Sequence, residues 1–537
     1  MPTSSTRAPR VGTAEPTTRR VDSIDPVTGD VIAQFEATPP EAIPAVLERA
    51  RQAQSAWARV ALRERCAALA RFGDVLFARR GEIAEVVTRE TGKPKVEALF
   101  TDVLIALDTA QYYSRHTPGL LQPQRVPHHN VAMKAKSGRL FFEPMGVVAI
   151  ISPWNYPLAV PLGQMIPALA AGNSVVLKPS ELTPWCGALL GEVFEQAGFP
   201  AGLVQIVQGG GEVGAALIEP AGGRGPDKVI FTGSVATGRR VAEACARNLI
   251  PSVLELGGKD AMIVLADADL EIASSAAVWA AFTNCGQACL SAERVYVDRS
   301  IAERFISFCV AKTKKLEVGS GLDPHVEVGP LIRRSAVERV ERQLADAVSR
   351  GARILCGGKR RADLGECFFE PTVITDVNHT MELMREETFG PVLAIQAVSS
   401  VDEAVRLAND SEFALAASVW TRDSFSGKKV AARLQAGTVQ VNDALSAFGI
   451  CEAPHGGRRA SGWGRTHGRD GLRELVQVKY VDADRLPRWP KSWWFGYSQQ
   501  LTVAADRFLE SLFAPTRGQR WRNLRGALDA VFRKDRV

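Results

Sequence analysis

The run Val147-Val148-Ala149-Ile150-Ile151 is followed, after a stretch of helix-like sequence, by the run Ser174-Val175-Val176-Leu177-Lys178. Two more short runs rich in β-branched residues occur at 203–207 and 228–231, again separated by helix-like stretches. Short, continuous apolar runs of this kind are typical of parallel strands that are buried on both faces. The pattern therefore predicts an α/β domain built on a parallel sheet.

A second set of such runs follows at 261–265, 294–297, 352–355 and 438–441. The segment 39–116, which precedes the first set, instead repeats Ala, Leu and Val at intervals of three and four residues, so it predicts a helical layer. A chain of 537 residues is also too long for one compact core. We therefore predict the α/β class, with two open parallel-sheet domains.

The composition narrows the class of protein. The formal charge is +6, but residues 487–537 alone hold ten Lys and Arg against four Asp and Glu, so the rest of the chain is neutral. A neutral body argues against a nucleic-acid-binding enzyme. The nine cysteines are scattered and include no Cys-x-x-Cys pair, which indicates reduced thiols in a cytoplasmic protein.

The first twenty residues are expected to be a flexible tail, with a mitochondrial transit peptide as the minor alternative. Residues 1–20 are rich in Thr, Pro and Arg and lack the apolar region of a secretory signal, so we expect a disordered N-terminal tail. The sequence contains no apolar run of about 18 residues, and a membrane-spanning helix is therefore not expected.

Cys289 follows the small-residue stretch Gly286-Gln287-Ala288, and Glu255 precedes Leu256-Gly257-Gly258 at the end of a predicted strand. A thiol in such a loop can attack a carbonyl, and a carboxylate beside it can take a proton from the thiol or from water. A lone cysteine is more often buried and inert, and a lone carboxylate is more often a surface charge. No His or further Cys lies at ligand spacing near Cys289, so we predict no metal site.

Asn155 lies between Pro153 and Pro157, just after the strand that ends at Ile151. The rigid loop could direct the side-chain amide toward a developing oxyanion, together with the backbone N–H of Cys289. The simpler interpretation is a turn asparagine that caps its own backbone.

Two further motifs suggest a nucleotide. The stretch 231–238 follows a strand and opens a helix, where backbone N–H groups can bind a pyrophosphate, although this motif is weak by itself. Lys178 and Glu181 follow another strand and could equally be a solvated charge pair. If they bind a ribose, Glu181 suits a free diol and repels a 2′-phosphate, which favours NAD over NADP.

Seven motifs taken in order resemble those of the aldehyde dehydrogenase superfamily: 153–157, 178–181, 231–234, 255–259, 286–289, 387–391 and 461–465. The resemblance covers roughly residues 21–482. It implies an enzyme with a Rossmann-like cofactor-binding domain (21–128 and 146–257), a catalytic domain (258–464), and a bridging oligomerisation hairpin (129–145 and 465–482). Relatives of this kind usually form homodimers or homotetramers.

The resemblance also implies roles for individual residues. Cys289 would be the nucleophile, Glu255 the general base and Asn155 the oxyanion donor. The cofactor, NAD or NADP, would contact Ile151, Trp154, Lys178, Glu181, Gly233, Ser234, Gly238, Glu387 and Phe389. An aldehyde would then be oxidised to a thioester on Cys289, and water activated by Glu255 would release the acid. Retention of Glu255 favours hydrolysis over transfer to coenzyme A. The alternative from another functional class is a non-catalytic scaffold that retains the fold of the enzyme.

The aldehyde itself is less clearly indicated. The chain resembles bacterial succinate-semialdehyde dehydrogenases, but 158–169, which by resemblance flanks the substrate, contains no Lys or Arg to meet a second carboxylate. An apolar, aromatic or long-chain aldehyde therefore fits better. His455 stands where many relatives have Phe, and Arg458-Arg459 replaces the usual Val-Lys, so the subfamily stays open.

Residues 487–537 extend beyond the resemblance and hold four of the ten tryptophans. Apolar residues between 501 and 513 fall on one helical face. We expect this basic, Trp-rich extension to pack on the enzyme or on a partner subunit. Contact with a membrane surface, as a peripheral anchor, is the alternative.

Overall fold

The computed structural model describes residues 19–130, 133–489, 491 and 493–522. The chain forms two compact units, of which the first runs up to Leu120 and from Pro144 to Gln477. The second contains Leu121–Glu143 and the chain from Val478 onward. Of the predicted N-terminal tail, residues 1–18 lie outside the described residues, and Arg20 begins the first strand.

The strands, in chain order, are β1 (Arg20–Ile24), β2 (Val31–Glu36), β3 (Gln124–Val126), β4 (Lys136–Pro144), β5 (Val147–Ile151), β6 (Ser174–Lys178), β7 (Val204–Ile206), β8 (Lys228–Thr232), β9 (Ser252–Glu255), β10 (Ala261–Val264), β11 (Arg294–Asp298), β12 (Arg353–Cys356), β13 (Thr372–Thr375), β14 (Val392–Val398), β15 (Phe413–Ala414), β16 (Ala416–Trp420), β17 (Thr438–Val441), β18 (Arg458–Arg459), β19 (Gly462–Trp463) and β20 (Val476–Asp484).

The helices are α1 (Ile43–Trp57), α2 (Leu62–Ala78), α3 (Arg80–Thr91), α4 (Lys95–Glu97), α5 (Leu104–Leu120), α6 (Ala159–Ala171), α7 (Pro184–Gln196), α8 (Gly211–Ile218), α9 (Val235–Arg247), α10 (Leu270–Phe282), α11 (Ala302–Thr313), α12 (Arg334–Ser349), α13 (Val401–Asn409), α14 (Ser424–Ala431), α15 (Gly468–Arg473), α16 (Gln499–Phe513) and α17 (Arg517–Arg522). A short π-helix, Ala98–Val103, joins α4 to α5.

Two open, mostly parallel sheets organise the first unit. One has the strand order β19-β9-β8-β5-β6-β7, with only β19 antiparallel to its neighbour. The other has the order β12-β13-β14-β11-β10-β16-β17, with only β12 antiparallel. This arrangement confirms the predicted α/β class with parallel sheets. The helical layer predicted for 39–116 is present as α1–α5.

The first of these sheets brings the carboxyl ends of β5, β6, β8 and β9 to the same end of the sheet. Its parallel register pairs Ile151 with both Lys178 and Phe231, and it pairs Thr232 with Glu255. Each of these residues lies at or next to the carboxyl end of its strand. Because ligands of open α/β sheets bind outside the carboxyl ends of the strands, this edge is where a site is expected.

Helix α6 lies between β5 and β6 in the chain, and all thirteen of its residues are buried. It begins directly after the loop that carries Asn155. It ends at Gly172, whose φ of 100° is in the left-handed region that glycine adopts without strain. Gln164 is the only polar side chain of α6, and a helix this apolar is stable only inside the protein, which anchors the preceding loop.

The second unit contains a three-stranded sheet with the order β20-β4-β3, in which β3 and β4 are antiparallel. Ion pairs join Lys136 to Asp482 and Lys479 to Glu143, so β4 and β20 are linked at both ends. Helices α16 and α17 follow in the chain. The predicted segment 465–482 is divided, because α15 and the first residues of β20 belong to the first unit.

Within the described ranges, no helix combines the length and apolar character needed to cross a bilayer.

Candidate active site

The loop that carries Cys289 begins where α10 ends. Asn284, Cys285 and Gly286 there have φ values of 48°, 56° and 72°, a run of left-handed backbone. A Cβ atom on Gly286 would lie 2.2 Å from the carbonyl oxygen of Gly390, so no larger residue fits. This tight turn directs the chain so that Cys289 reaches the surface of two cavities.

Cys289 lies where an apolar cavity and a polar cleft meet. The apolar cavity has a volume of about 390 Å³, and its wall includes Phe100, Leu104, Ile105, Tyr156, Trp279, Leu290, Leu445 and Phe448. The polar cleft has a volume of about 230 Å³, and its wall includes Trp154, Asn155, Gly233, Ser234, Glu255, Glu387 and Phe389. The structure thus brings the three predicted catalytic residues and five predicted cofactor residues to one place.

The thiol of Cys289 is in an environment that disfavours its charge. Burial raises the pKa of Cys289 well above its usual value, and the nearby carboxylates of Asp260, Glu387 and Glu255 raise it further. The thiol is therefore protonated at rest. The thiolate is the reactive form, so the thiol must lose its proton before it attacks a carbonyl.

Glu255 ends β9 and is 6% exposed. Neither of its carboxylate oxygens has a hydrogen-bond partner among the described residues, and the nearest imidazole nitrogen, Nε2 of His455, is 3.7 Å from Oε2. Burial raises the pKa of Glu255 well above its usual range, while the charge of Arg465 opposes that shift. A buried carboxylate with a raised pKa and free lone pairs is suited to accept a proton.

Asn155 is 4% exposed and is tied to the cysteine loop. Its side-chain Nδ2 donates to the carbonyl oxygen of Gln287 at 3.1 Å. Its own carbonyl oxygen accepts hydrogen bonds from Asn284 Nδ2 at 3.0 Å and from Lys93 Nζ at 2.7 Å. The amide is therefore held two residues from the thiol, although the sequence alone also allowed a simple turn asparagine.

Lys93 and Asp102 form a fully buried ion pair of 2.8 Å beneath this loop. Asp102 Oδ1 also accepts the backbone N–H groups of Leu158 and Ala159, both at 3.1 Å, at the start of α6. The Lys93 ammonium lies 4.0 Å from the ring centre of Tyr156. The pair thus holds both sides of the Asn155 loop, and no sequence motif points to it.

The start of α9 faces the polar cleft through Gly233 and Ser234. The Ser234 hydroxyl accepts the N–H of Thr237 at 3.3 Å and so caps the helix. Gly238 has a different position, because a Cβ there would lie 2.4 Å from the Leu256 side chain. Gly238 allows α9 to pack closely on that residue, and it does not line the cleft.

Lys178 and Glu181 lie at the end of β6, outside the wall of the cleft. The Lys178 ammonium donates to the carbonyl oxygens of Pro179 and Gly209, both at 2.7 Å, and lies 3.7 Å from Glu181. Burial lowers the pKa of Lys178, and the charge of Glu181 opposes that shift. Glu181 is half-exposed and available to a ligand. Ile151 is the register partner of Lys178 on β5.

Glu387 and Phe389 line the cleft beside Trp154. One carboxylate oxygen of Glu387 accepts the N–H of Gly258 at 3.1 Å, and burial followed by the charge of Glu293 raises its pKa to about 7. The ring of Phe389 meets Trp154 edge-on, with centroids 5.6 Å apart. A carboxylate and two aromatic rings are thus presented together.

These groups match the chemistry of a nicotinamide dinucleotide. A helix N-terminus can bind a pyrophosphate, carboxylates can accept ribose hydroxyls, and aromatic walls can enclose a flat ring. In the part of the chain that the structure describes, no cluster of three or more His, Cys, Asp or Glu is arranged for a metal ion.

Comparison with known proteins gives consistent matches. Residues 13–481 match the model of the aldehyde dehydrogenase family. A putative succinate-semialdehyde dehydrogenase [NADP(+)] from Mycolicibacterium smegmatis is 40% identical, over 86% of this chain and 88% of that protein. The 4,4′-diapolycopene aldehyde oxidase of Methylomonas sp. is 37% identical, over 92% of this chain and 91% of that protein.

Solved structures agree. A putative aldehyde dehydrogenase from Burkholderia cenocepacia superposes with a TM-score of 0.83 at 34% identity, covering 88% of this chain and 95% of that one. Betaine aldehyde dehydrogenase from Staphylococcus aureus, solved in complex with NAD+, also gives 0.83 at 33% identity, covering 89% and 94%.

The Lys93–Asp102 pair provides a test of how the site is held. Lys93→Met leaves the Asp102 carboxylate buried without its cation, so we expect the free energy of unfolding to fall by about 3 to 5 kcal/mol. Lys95→Met is a matched control, because Lys95 is 41% exposed and pairs with Glu85 only at 3.5 Å, a contact worth less than about 1 kcal/mol. Urea unfolding of both variants measures the difference, and equal losses would contradict the assigned role.

Proposed function

The chain belongs to the aldehyde dehydrogenase family, and we propose that it oxidises an apolar aldehyde to a carboxylic acid through a thioester on Cys289 that water hydrolyses. It is an NAD(P)-dependent oxidoreductase. The observation that carries the proposal is that Cys289 and Glu255 share one cleft while Cys289 also faces a large apolar cavity. A thiol and a base are thereby brought to the point where an aldehyde would meet a dinucleotide.

The first step is addition of the Cys289 thiolate to the aldehyde carbon. The thiol proton passes to water in the cleft, and Glu255, with both oxygens free of partners among the described residues, stays ionised for the hydrolytic step. As the carbonyl oxygen becomes negative, the Asn155 amide and the Cys289 backbone N–H stabilise it. The existing bond from Asn155 to Gln287 keeps the amide in this orientation.

Oxidation and hydrolysis complete the reaction. NAD(P)+ held in the cleft supplies the hydride acceptor. Glu255 then takes a proton from water, and the oxygen of that water attacks the acyl carbon. The carbon–sulfur bond breaks, Cys289 leaves as the thiolate, and the acid is released. Because Glu255 provides this base, water rather than coenzyme A is the acyl acceptor.

Glu387, Phe389, Trp154, Gly233 and Ser234 would hold the cofactor in the cleft. Lys178, Glu181 and Ile151 at the neighbouring strand ends would hold its adenosine ribose. The carboxylate of Glu181 favours the free ribose diol of NAD+ over the 2′-phosphate of NADP+. Because Glu181 is half-exposed, it can turn away, so we propose a preference for NAD+ rather than exclusion of NADP+.

The apolar cavity supports a substrate without a second charge. Asp108 is its only charged residue among the described lining residues, and that residue repels a carboxylate. Phe100, Leu104 and Trp279, which line the cavity, are also 63%, 51% and 47% exposed, so its apolar character continues to the surface. A medium- or long-chain aldehyde, or an aromatic one, fits such walls.

Succinate semialdehyde is the second candidate, because several relatives are named as putative dehydrogenases of that compound. The cavity provides no cation for its carboxylate among the described residues that line it. Burial of an unpaired carboxylate is unfavourable, so we place this substrate second.

Replacement of the base separates the two halves of the reaction. Glu255→Gln should still give an initial burst of NADH, while steady turnover falls by about 10² to 10⁴-fold, because only hydrolysis then lacks its base. In the unchanged enzyme, turnover should decline as the pH falls through the raised pKa of Glu255. Stopped-flow NADH absorbance measures the burst and the steady turnover across the pH range. Glu243→Gln, at an exposed glutamate, is the control. Loss of the burst would show that Glu255 is needed to activate the thiol.

The substrate class is tested by initial rates with a medium-chain alkanal, benzaldehyde and succinate semialdehyde, each with NAD+ and NADP+. We expect kcat/KM for succinate semialdehyde to be about a hundredfold below that of the apolar aldehydes, because its carboxylate finds no partner. Leu104→Lys should narrow that ratio by supplying a cation, and Leu104→Gln is its uncharged control. If kcat/KM of the unchanged enzyme for succinate semialdehyde equalled or exceeded that for the apolar aldehydes, succinate semialdehyde would become the first candidate substrate.

The second unit and the C-terminal extension are proposed to mediate self-association. Phe495, Tyr497 and Phe513 are 89%, 67% and 72% exposed in the single chain, and a second copy could cover them in a homodimer or homotetramer. The alternative cover is an anionic membrane surface, because residues 485–522 carry many more Lys and Arg than Asp and Glu.

Removal of residues 487–537 distinguishes contact with a second copy of the chain from contact with a membrane surface. If the extension contributes to subunit contacts, the truncated protein should have a smaller mass by light scattering, and both forms should remain in the supernatant with anionic liposomes. Sedimentation of the full chain alone with the liposomes would instead support the membrane surface.

A further inference from the structure

A third, much smaller cavity adjoins Glu255, and we call it the inner cavity. Its volume is about 30 Å³, and its wall combines the apolar side chains of Val160, Leu256, Leu415 and Phe448 with Gln164, Thr232, Glu255, Cys289, His455, Thr466 and His467. A water molecule needs roughly 10–15 Å³ of such space, so the inner cavity has room for water. It touches both the base and the nucleophile of the proposed reaction.

Four of the residues that line the inner cavity carry polar atoms without a hydrogen-bond partner among the described residues. They are both carboxylate oxygens of Glu255, Oε1 of Gln164, Nδ1 of His455 and Nε2 of His467. All four residues are at most 6% exposed. Buried polar atoms without a partner are rare, and a water molecule in a cavity of sufficient size can supply the partner.

The two histidines are held firmly at the inner cavity. His455 and Thr466 exchange two backbone hydrogen bonds of 2.8 Å, which places His455 beside the residue preceding His467. The two imidazole rings are 6.0 Å apart, and Phe448 packs edge-on against both, at 5.1 and 4.7 Å. His455 Nε2 is 3.7 Å from Oε2 of Glu255, slightly longer than a direct hydrogen bond.

Both rings are neutral near neutral pH. Burial lowers the pKa of His455 to about 3, with smaller contributions from His467 and Arg465, and burial lowers the pKa of His467 to about 4. A neutral imidazole has one donor and one acceptor nitrogen. It can therefore hold a water molecule or donate to a carboxylate without adding a charge to the site.

We propose that His455 and His467 are positioning residues for hydrolysis, which hold a water molecule in the inner cavity between Glu255 and Cys289. The inference rests on the proposed role of Glu255 as the base. His455 donates to the ionised carboxylate, and His467 with Gln164 orients the water. Glu255 takes a proton from that water, and the water oxygen bonds to the acyl carbon. The carbon–sulfur bond to Cys289 then breaks, and the two imidazole rings neither gain nor lose a proton.

The pH dependence of turnover reports on this contact. The groups that face Glu255 are His455, Arg465 and Cys289, with His467 beyond His455. A donor to the ionised carboxylate lowers its pKa, so removal of His455 raises the pKa of Glu255 above its already elevated value. The acid limb of the turnover profile should then move to higher pH.

The experiment compares His455→Phe with His455→Gln, in which the amide can still donate. His455→Phe should retain the NADH burst in rate and amplitude, while the acid limb shifts by about one pH unit and turnover on that limb falls about tenfold. In His455→Gln, the position of the acid limb and the turnover on that limb should return most of the way to those of the unchanged enzyme. Leu415→Met, an apolar change on the same wall, is the control and should alter neither. Thermal unfolding of each variant confirms that it is folded.

His467→Asn provides an independent variant, because the shorter asparagine side chain remains polar while Nε2 is lost. It should slow hydrolysis and leave the burst intact. An unchanged acid limb in His455→Phe, loss of its burst, or failure of His455→Gln to restore turnover would each overturn the proposal. If the unchanged enzyme formed no NADH from any aldehyde, the proposed function would fail instead, so the two failures are distinguishable.

Discussion

The parallel register of β5, β6, β8 and β9 is the constraint on which the site depends. Because neighbouring strands run in the same direction, Ile151, Lys178, Thr232 and Glu255 arrive at one edge although more than a hundred residues separate the first from the last. A reversal of any of these strands would carry its terminal residue to the opposite edge. The loops after the strands then need only short excursions to place Asn155 and the start of α9 beside the nucleophile.

Burial gives the site its electrostatic character. Cys289, Glu255 and Glu387 all have raised pKa values, and His455 and His467 have lowered ones, so each shift favours the neutral form. The same surroundings that suppress charge at rest strengthen any interaction with a charge that develops during reaction. Lys93 and Asp102 form a buried ion pair beneath the site, and this pair supports the framework of the site.

Much of this architecture could be predicted from the sequence. The β-branched runs identified the parallel strands, since a strand buried on both faces has few other compositions open to it. Cys289, Glu255 and Asn155 were recognisable because their motifs come in order. Lys93 and Asp102 were not, because a buried ion pair becomes visible only when the partners of both residues are known. Gly238 is predicted to lie by the pyrophosphate of a cofactor, and the structure adds that it lets α9 pack closely on Leu256, a contact that the sequence pattern does not contain.

The tight turn at Gly286 has a consequence for communication within the enzyme. A Cβ atom on Gly286 would lie 2.2 Å from the carbonyl oxygen of Gly390, so the cysteine loop packs directly against the loop that carries Glu387 and Phe389. If a cofactor in the polar cleft shifts the position of the nucleophile through this contact, the coupling must be reciprocal, and an acyl group on Cys289 would alter cofactor affinity by the same factor.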